Sequence, residues 1–411
     1  MLDKKTTKEK LLFLIDKAAF FFFAVLMFFL PISNAVIESS FGFIFLCFII
    51  KLSLKDIKFR DSGFLKNKIN LLLLVYYLLI GLSILVSGPL FMKSLRAWFL
   101  KWGQGVLLFY FVQLLFRKRD IQFLLIPLFA STFLQCIHGL CQVQFDIAKG
   151  FSMNYSGILF NGIRASFNHY NDFASFLVAV FFINLGMLFK TKKPWLKMIL
   201  GFLGFLVIAD ILFTGSRGAW LSFLLAIFPL GFILYRKKQT NLIYMLCIVS
   251  FFILAVFWLT PLTDRLFYSF KMGGDSDRLK IWRISLLMLK DSPLLGKGIG
   301  LFMDYLPKYA YIGAEYAHNC YLQILVETGI IGLLPFLLFL GTIITQGLVK
   351  IIRNFDELFL GLFSAFIAFL IHSFFDTQLY SLKLSILFWL LASFITIHLT
   401  EPVKHNALSS P

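Results

Sequence analysis

Long apolar segments recur along almost the whole chain, and they constrain its fold more than any other feature. Of the 411 residues, 59% are hydrophobic, 15% are charged and 53 are Phe. A soluble domain has no interior large enough for this much apolar surface, whereas a run of about 20 apolar residues spans the hydrocarbon core of a bilayer. The short alternating segments of a β-barrel are absent. The sequence therefore predicts an all-α integral membrane protein.

We predict about 12 transmembrane helices, with short helices in one large outer loop. The predicted spans are 12–32, 39–53, 70–88, 94–116, 121–144, 171–190, 198–214, 218–235, 241–260, 319–348, 358–375 and 381–399. Residues 1–260 would hold nine spans and a smaller outer loop near 146–170, residues 261–318 the large loop, and residues 319–411 three spans and a tail. No small-residue cleavage site follows the first run, so we expect that run to be retained as an anchor.

The net charge of +18 is explained by its distribution along the chain. Short basic connections such as "RKRD", "KTKKPWLK" and "YRKKQ" all fall on the cytoplasmic side when both termini are cytoplasmic, as the positive-inside rule requires. Nucleic acid is therefore not needed as a partner, whereas membrane lipids are. The five cysteines show no CxxC spacing, and no internal repeat supports an inverted-repeat transporter.

The large outer loop is basic although it lies on the side where the rule expects few positive charges. It carries eight basic residues, namely Arg265, Lys271, Arg278, Lys280, Arg283, Lys290, Lys297 and Lys308. The rule tolerates charge in long loops but does not explain an enrichment. An anionic ligand on the outer face would explain it.

The dipeptide His318-Asn319 stands where the tenth predicted span begins, on the outer face. The free N–H groups and positive potential of a helix N-terminus disfavour imidazolium, so His318 would be neutral, as a general base must be. The alternative is a capping Asn beside an interfacial His.

A short helix at about 277–290 is predicted within the large loop, because capping residues precede it and Pro293 follows it. Arg278 and Trp282 are four residues apart on one face, where the indole would stack on the guanidinium, whereas Arg283 points elsewhere. The alternative is an amphipathic helix on anionic headgroups.

The capping candidates before this helix are Asp275, Ser276 and Asp277. Their D-x-D pattern also occurs in metal-dependent glycosyltransferases, but capping explains it, and we predict no metal site. The "GKGIG" at 296–300 lacks the strand and GK[ST] of a phosphate loop.

Other polar residues cluster at the outer ends of predicted spans. Asp210 lies two turns before Arg217, so both would share one helix face, either in a substrate site or as a structural pair. Further candidates stand in two segments, Arg164 and Asn171 before the sixth span and Arg96 and Lys101 in the fourth. Basic side chains at that depth need water or an anion.

Several of these segments together resemble the O-antigen ligase and polymerase superfamily. His318-Asn319, nine residues, Gly329, two residues and Gly332 match the signature of the ligase loop. "SRGAW" at 216–220 is similar to the superfamily's Ser-Arg-Gly turn. "RLKIWRISLLMLKDSPLLGKGIGLF" at 278–302 is similar to its Arg-x-x-x-Trp block. "RASFNHYNDFASFL" at 164–177 is similar to a looser motif, with Tyr where Pro is common. The motifs cover about a fifth of the chain.

The resemblance implies a membrane glycosyltransferase whose outer side is the periplasm. The donor would be a glycan on undecaprenyl diphosphate and the acceptor a sugar hydroxyl of lipid A–core, with no cofactor and no metal. It implies that His318 is the base and that Arg217 and Arg278 neutralise the leaving diphosphate, with inversion at the anomeric carbon. Candidate substrate-binding residues are Arg283, Asn319, Arg164, Asn171, Arg96, Lys101, Trp282 and Asp210. The superfamily also contains polymerases and protein O-oligosaccharyltransferases, and a lipid-linked glycan transporter is the alternative of another class.

Overall fold

The computed structural model describes residues 2–54, 66–144, 152–154, 157–159, 162–238, 276–310 and 316–400. Within these ranges nine helices are long and apolar enough to cross a membrane, and a tenth apolar helix is shorter, so the chain is a multi-pass membrane protein. The predicted span at 241–260 lies outside the described residues, and the count of 12 stays a prediction.

Most helices of the membrane region lie at the sequence positions of the predicted spans. They are α1 Leu2–Phe29, α2 Asn34–Ser53, α3 Lys68–Gly81, α4 Phe91–Arg96, α5 Gln104–Leu115, α6 Lys118–Gln144, α7 Tyr170–Lys190, α8 Pro194–Thr214 and α9 Arg217–Arg236. The later ones are α10 Ser276–Asp291, α11 Phe302–Tyr309, α12 Cys320–Arg353, α13 Glu357–His372 and α14 Leu382–Thr400. Of these, α10 and α11 lie in the segment predicted to be the large loop, and α10 confirms the helix predicted at 277–290.

Three local features differ from the prediction. The first helix begins at Leu2 rather than at 12, since Lys and Glu are good helix formers outside the membrane as well. The predicted fourth span is divided into α4, a π-helix at Ala97–Gly103 and α5. A short antiparallel hairpin, β1 Ser152–Asn154 with β2 Gly157–Leu159, lies in the smaller loop, so the chain is not purely α-helical. Three-residue strands are too short to show a periodic signal in sequence.

The centre of the bundle is formed by α7, α13 and α14. The apolar window of α14 is 89% buried and that of α7 is 78% buried, against 28% for α1, so the first helix lies at the edge. Gly186 of α7 meets Gly361 of α13, and a Cβ on Gly361 would lie 2.6 Å from the Phe182 carbonyl oxygen. Small residues therefore let these two helices approach closely, as membrane helices often do.

The helix α12 is broken at Gly329, where φ is 65° and ψ is −169°. The loop after α10 packs into this break. Its Pro293 and Leu294 carbonyls accept from the N–H groups of Ile330 and Ile331, at 3.0 and 3.2 Å. In return, the N–H groups of Lys297 and Gly298 donate to the Val326 and Glu327 carbonyls, both at 2.9 Å. Backbone groups freed inside a membrane must find such partners.

These contacts give "GKGIG" a structural role. Its three glycines have φ values of 69°, 105° and 76°, in the left-handed region that favours glycine. The segment thus turns tightly against α12 and ties the large loop to that helix. The apolar side of α10, with Ile281 and Met288, packs on α11 and the start of α12. This side therefore packs on the protein, whereas Leu279, Leu286 and Leu287 of the same helix are exposed.

The basic connections predicted to be cytoplasmic meet at the far end of the bundle. Lys118, before α6, pairs with Asp356, before α13, at 2.6 Å. Lys237, after α9, donates to the Ile352 carbonyl at 2.7 Å near the end of α12. The start of α12, with His318, lies at the opposite end of that helix.

Candidate active site

One pocket collects residues from four helices at the His318 end of the bundle. It is lined by Tyr170, Asn171, Gly215, Ser216, Arg217, Gly218, Arg278, His372 and Phe375. These residues come from the start of α7, the start of α9, the first turn of α10 and the end of α13. Segments far apart in sequence thus form a single site.

Two helix N-termini open into this pocket. Ser216 caps α9 and accepts from the Ala219 N–H at 3.4 Å, while His169 caps α7 and accepts from the Asn171 N–H at 3.1 Å. The first-turn N–H groups of a helix carry partial positive charge and favour an anion. The guanidiniums of Arg217 and Arg278 line the same pocket. The pocket is therefore suited to phosphate groups.

His318 stands just outside α12 in a strained conformation, with φ of 49°. Its neighbours fix this conformation. The Asn319 side chain caps α12 by accepting from the Leu322 N–H at 3.0 Å, and the Trp282 indole N–H donates to the Ala317 carbonyl at 2.8 Å. A backbone held in an uncommon region is often part of a functional site. Here it holds the imidazole in one place.

The partner of His318 is Asp376, in the turn between α13 and α14. The His318 Nδ1 lies 3.4 Å from Asp376 Oδ1, which also accepts from the Thr377 N–H at 2.8 Å. Burial opposes ionisation of Asp376, but the hydrogen bonds from His318 and from the Thr377 N–H favour the carboxylate, and the pKa of Asp376 lies well below its usual range. An ionised Asp376 holds a proton on Nδ1 and leaves Nε2 free to act as a base.

His169 links this pair to the pocket. Burial lowers the pKa of His169. Its imidazole also interacts electrostatically with four ionisable side chains, those of Asp376, His318, Arg278 and Arg164. His318 and Arg278, which lines the pocket, are therefore both close to His169.

The structure brings some of the predicted site residues together in the pocket, and others do not line it. Arg217, Arg278 and Asn171 line it, whereas Arg283 and Arg96 are exposed and do not. Asn319 is occupied as a helix cap, which was the structural alternative for it.

Three of the remaining predicted residues have partners within the protein, and the fourth, Asp210, is buried away from the pocket. Trp282 bonds the Ala317 carbonyl rather than bracing Arg278. Arg164 donates to the Asn168 carbonyl at 3.3 Å. The Lys101 ammonium lies 4.4 Å from the centre of the Tyr380 ring. Asp210 is fully buried against Gly139 of α6 and does not line the pocket beside Arg217.

Two site residues escaped the sequence analysis, His372 and Asp376. Both stand in "HSFFDTQLY" at 372–380, where five polar residues (His, Ser, Asp, Thr and Gln) lie between two apolar helices. The prediction ended a helix at 375 and gave this turn no role. The polar interruption was the signal that marked a site at the same end as His318.

The comparisons agree with this geometry. Residues 201–337 match the family model described as O-Antigen ligase. This segment, about a third of the chain, is similar to the O-antigen ligase family. It contains Arg217, Arg278, His318 and the Gly329 break, so the resemblance seen in the motifs is confirmed. No curated protein matches the chain.

Within the described ranges, no three His, Cys, Asp or Glu side chains form a group that could hold a metal ion. Asp275 lies outside those ranges, so the capping role of the D-x-D pattern stays a prediction.

Proposed function

We propose that this protein is an O-antigen ligase acting at the periplasmic face of the bacterial inner membrane. It would transfer a polysaccharide from undecaprenyl diphosphate to a sugar hydroxyl of lipid A–core. The observation that carries the proposal is that Arg217 and Arg278 line one pocket with two helix N-termini, at the end of the bundle where His318 pairs with Asp376. This combination suits a diphosphate leaving group beside a general base.

His318 would activate the acceptor. As the acceptor oxygen attacks the anomeric carbon, its hydroxyl proton passes to His318 Nε2, and Asp376 stabilises the imidazolium that forms. The bond from the anomeric carbon to the diphosphate oxygen breaks on the opposite side, and its electron pair stays with that oxygen. Direct displacement inverts the anomeric centre. The products are the glycosylated acceptor, undecaprenyl diphosphate and a proton that returns to water.

Arg217 and Arg278 would stabilise the leaving group. Negative charge gathers on the diphosphate as the bond breaks, and planar, permanently charged guanidiniums bind phosphate oxygens through two parallel hydrogen bonds. The N–H groups at the starts of α7 and α9 add fixed positive charge. With charge supplied in this way, we propose that transfer is metal-independent.

The other members of the superfamily are the second candidate. A polymerase or a protein O-oligosaccharyltransferase uses the same donor chemistry, and the acceptor distinguishes the three. The pairing of the ligase loop signature with one large loop favours the ligase. A transporter is less well supported, because the paired arginines stand at helix ends rather than along a path through the membrane.

Deletion of the gene followed by lipopolysaccharide analysis tests this proposal. Free lipid A–core together with accumulating lipid-linked polymer is the result expected for a ligase. Core bearing a single repeat would mean a polymerase, and unchanged lipopolysaccharide with altered glycoprotein would mean a protein transferase. Complementation with wild-type and His318→Ala chains, expressed at equal levels, ties the phenotype to this site.

A further inference from the structure

We infer that His372 is a further diphosphate-binding residue, which donates a hydrogen bond from Nε2 to a phosphate oxygen beside Arg217 and Arg278. This inference rests on the proposed function and names a ligand contact that neither the motifs nor the family match assigns. His372 is the last residue of α13, only 1% exposed, and it lines the pocket. Because this histidine is buried at the wall of the pocket, the hydrogen-bond partner of each ring nitrogen has to be identified.

The Nδ1 of His372 is held by a chain of side-chain hydrogen bonds. It lies 2.6 Å from the Ser175 hydroxyl oxygen, and Gln378 Nε2 donates to that same oxygen. Gln378 is oriented in turn by Ser373, whose hydroxyl lies 3.3 Å from Gln378 Oε1. Since Gln378 supplies a proton to Ser175, the Ser175 hydroxyl is free to donate its own proton to Nδ1.

With Ser175 as the donor to Nδ1, this chain sets the tautomer of His372. A ring that accepts at Nδ1 and is neutral carries its proton on Nε2. Among the described residues, Nε2 has no hydrogen-bond partner. It faces Gly218 in the first turn of α9, where an added Cβ would lie 3.0 Å from it, and Gly218 lines the pocket. The protein therefore presents a single N–H to the pocket.

A neutral donor in this position suits a diphosphate. Arg217 and Arg278 attract the anion through their charge, and this attraction depends little on orientation. A hydrogen bond from a fixed N–H depends strongly on orientation, because the acceptor oxygen must lie along the N–H bond. His372 thus fixes the orientation of one phosphate group while the arginines neutralise it. The ligand class is a pyrophosphate, whether free or esterified to a lipid. His372 neither gives nor takes a proton in the reaction, so it is a binding residue.

Binding of inorganic pyrophosphate to the purified full-length protein in detergent tests the inference. His372→Leu should weaken pyrophosphate binding about tenfold or more, as expected for a lost hydrogen bond to a charged group. His372→Gln, whose amide nitrogen replaces Nε2, should restore most of the affinity. His398→Leu is the matched control, because His398 is equally buried but lies near the end of α14, away from the pocket. It should bind like wild type.

The outcomes separate this inference from the proposed function. If wild type binds pyrophosphate and Arg217→Ala does not, the anion pocket stands. Normal binding by a folded His372→Leu protein would then overturn the role of His372 alone. If wild type itself shows no Arg217-dependent binding, the diphosphate site of the proposed function fails. If Leu and Gln variants weaken binding equally while keeping wild-type melting temperatures, His372 is not a directional donor and the inference is wrong. Using undecaprenyl diphosphate as a second probe distinguishes the lipid-linked ligand from the free one.

Discussion

His318 and Asp376 form the smallest unit on which the proposed chemistry depends. A general base contributes about 10²–10⁴-fold to a rate. We therefore expect His318→Ala to lower turnover by that factor while leaving donor binding nearly intact, since the base acts on the acceptor. Single-turnover transfer and donor binding, measured on the same membrane preparation, check both parts. A folded, membrane-inserted His318→Ala protein that ligates at the wild-type rate would show that His318 has no catalytic role and only lies at the N-terminus of α12.

The two arginines of the pocket make a different prediction. Arg217→Lys and Arg278→Lys should fail almost as badly as the Ala variants, because lysine keeps the charge but loses the two-pronged donor that fits phosphate. Donor binding should weaken together with turnover, because the diphosphate is anionic before and during transfer. Lys290→Ala, on the same helix as Arg278 but exposed, is the control and should be mild. Full rescue by lysine would mean that charge alone suffices.

The helix α12 offers a test at the scale of an element. Alanine at Gly329 would be strained by the positive φ, and its Cβ would lie 2.0 Å from the Leu294 carbonyl oxygen. A residue forced into such a backbone costs about 1–3 kcal/mol. Gly329→Ala should lower the melting temperature and expose the large loop to protease. Gly341→Ala, on the same helix with open space around it, should not. Equal behaviour of the two variants would contradict the role of the break.

The elements themselves were largely predictable, whereas their breaks and contacts were not. Apolar runs placed most of the described helices, and the capping residues and Pro293 placed α10 within a residue. The π-helix at Ala97–Gly103 left no sequence signal, because it depends on packing between neighbouring helices. The partnership of His318 with Asp376 was equally hidden, since tertiary structure brings the residue before α12 to the turn between α13 and α14. Arg217, Arg278 and His318 were found because their motifs are local.

At the scale of the whole molecule, the topology remains a prediction that reporter fusions can test. Fusions after residues 60, 118, 194, 237 and 354 should report the cytoplasm, and fusions near 155 and 290 the periplasm. The reason is the basic character of the short connections, of which several meet at one end of the bundle. A cytoplasmic reading at 290 would put Arg278 on the side opposite to the proposed reaction.

Metal removal tests the whole reaction. Because arginines and helix N-termini supply the positive charge, purified protein should keep transferring glycan in excess EDTA. Rates measured before and after chelation, and again after added magnesium, are the comparison. Loss of activity that magnesium restores would revive a metal role for Asp275 and Asp277.

The pocket is formed by segments that lie far apart in the sequence, and this matters while the chain is being synthesised. The ribosome releases Tyr170 and Arg217 early, but His372 and Asp376 only after α12 and α13 have been made. An unfinished chain can therefore already display the arginines yet lack the carboxylate that orients His318. If the proposed function is right, nascent chains would pass through the translocon without the power to cleave lipid-linked glycan. Such a schedule would protect a costly polymer from being lost to water.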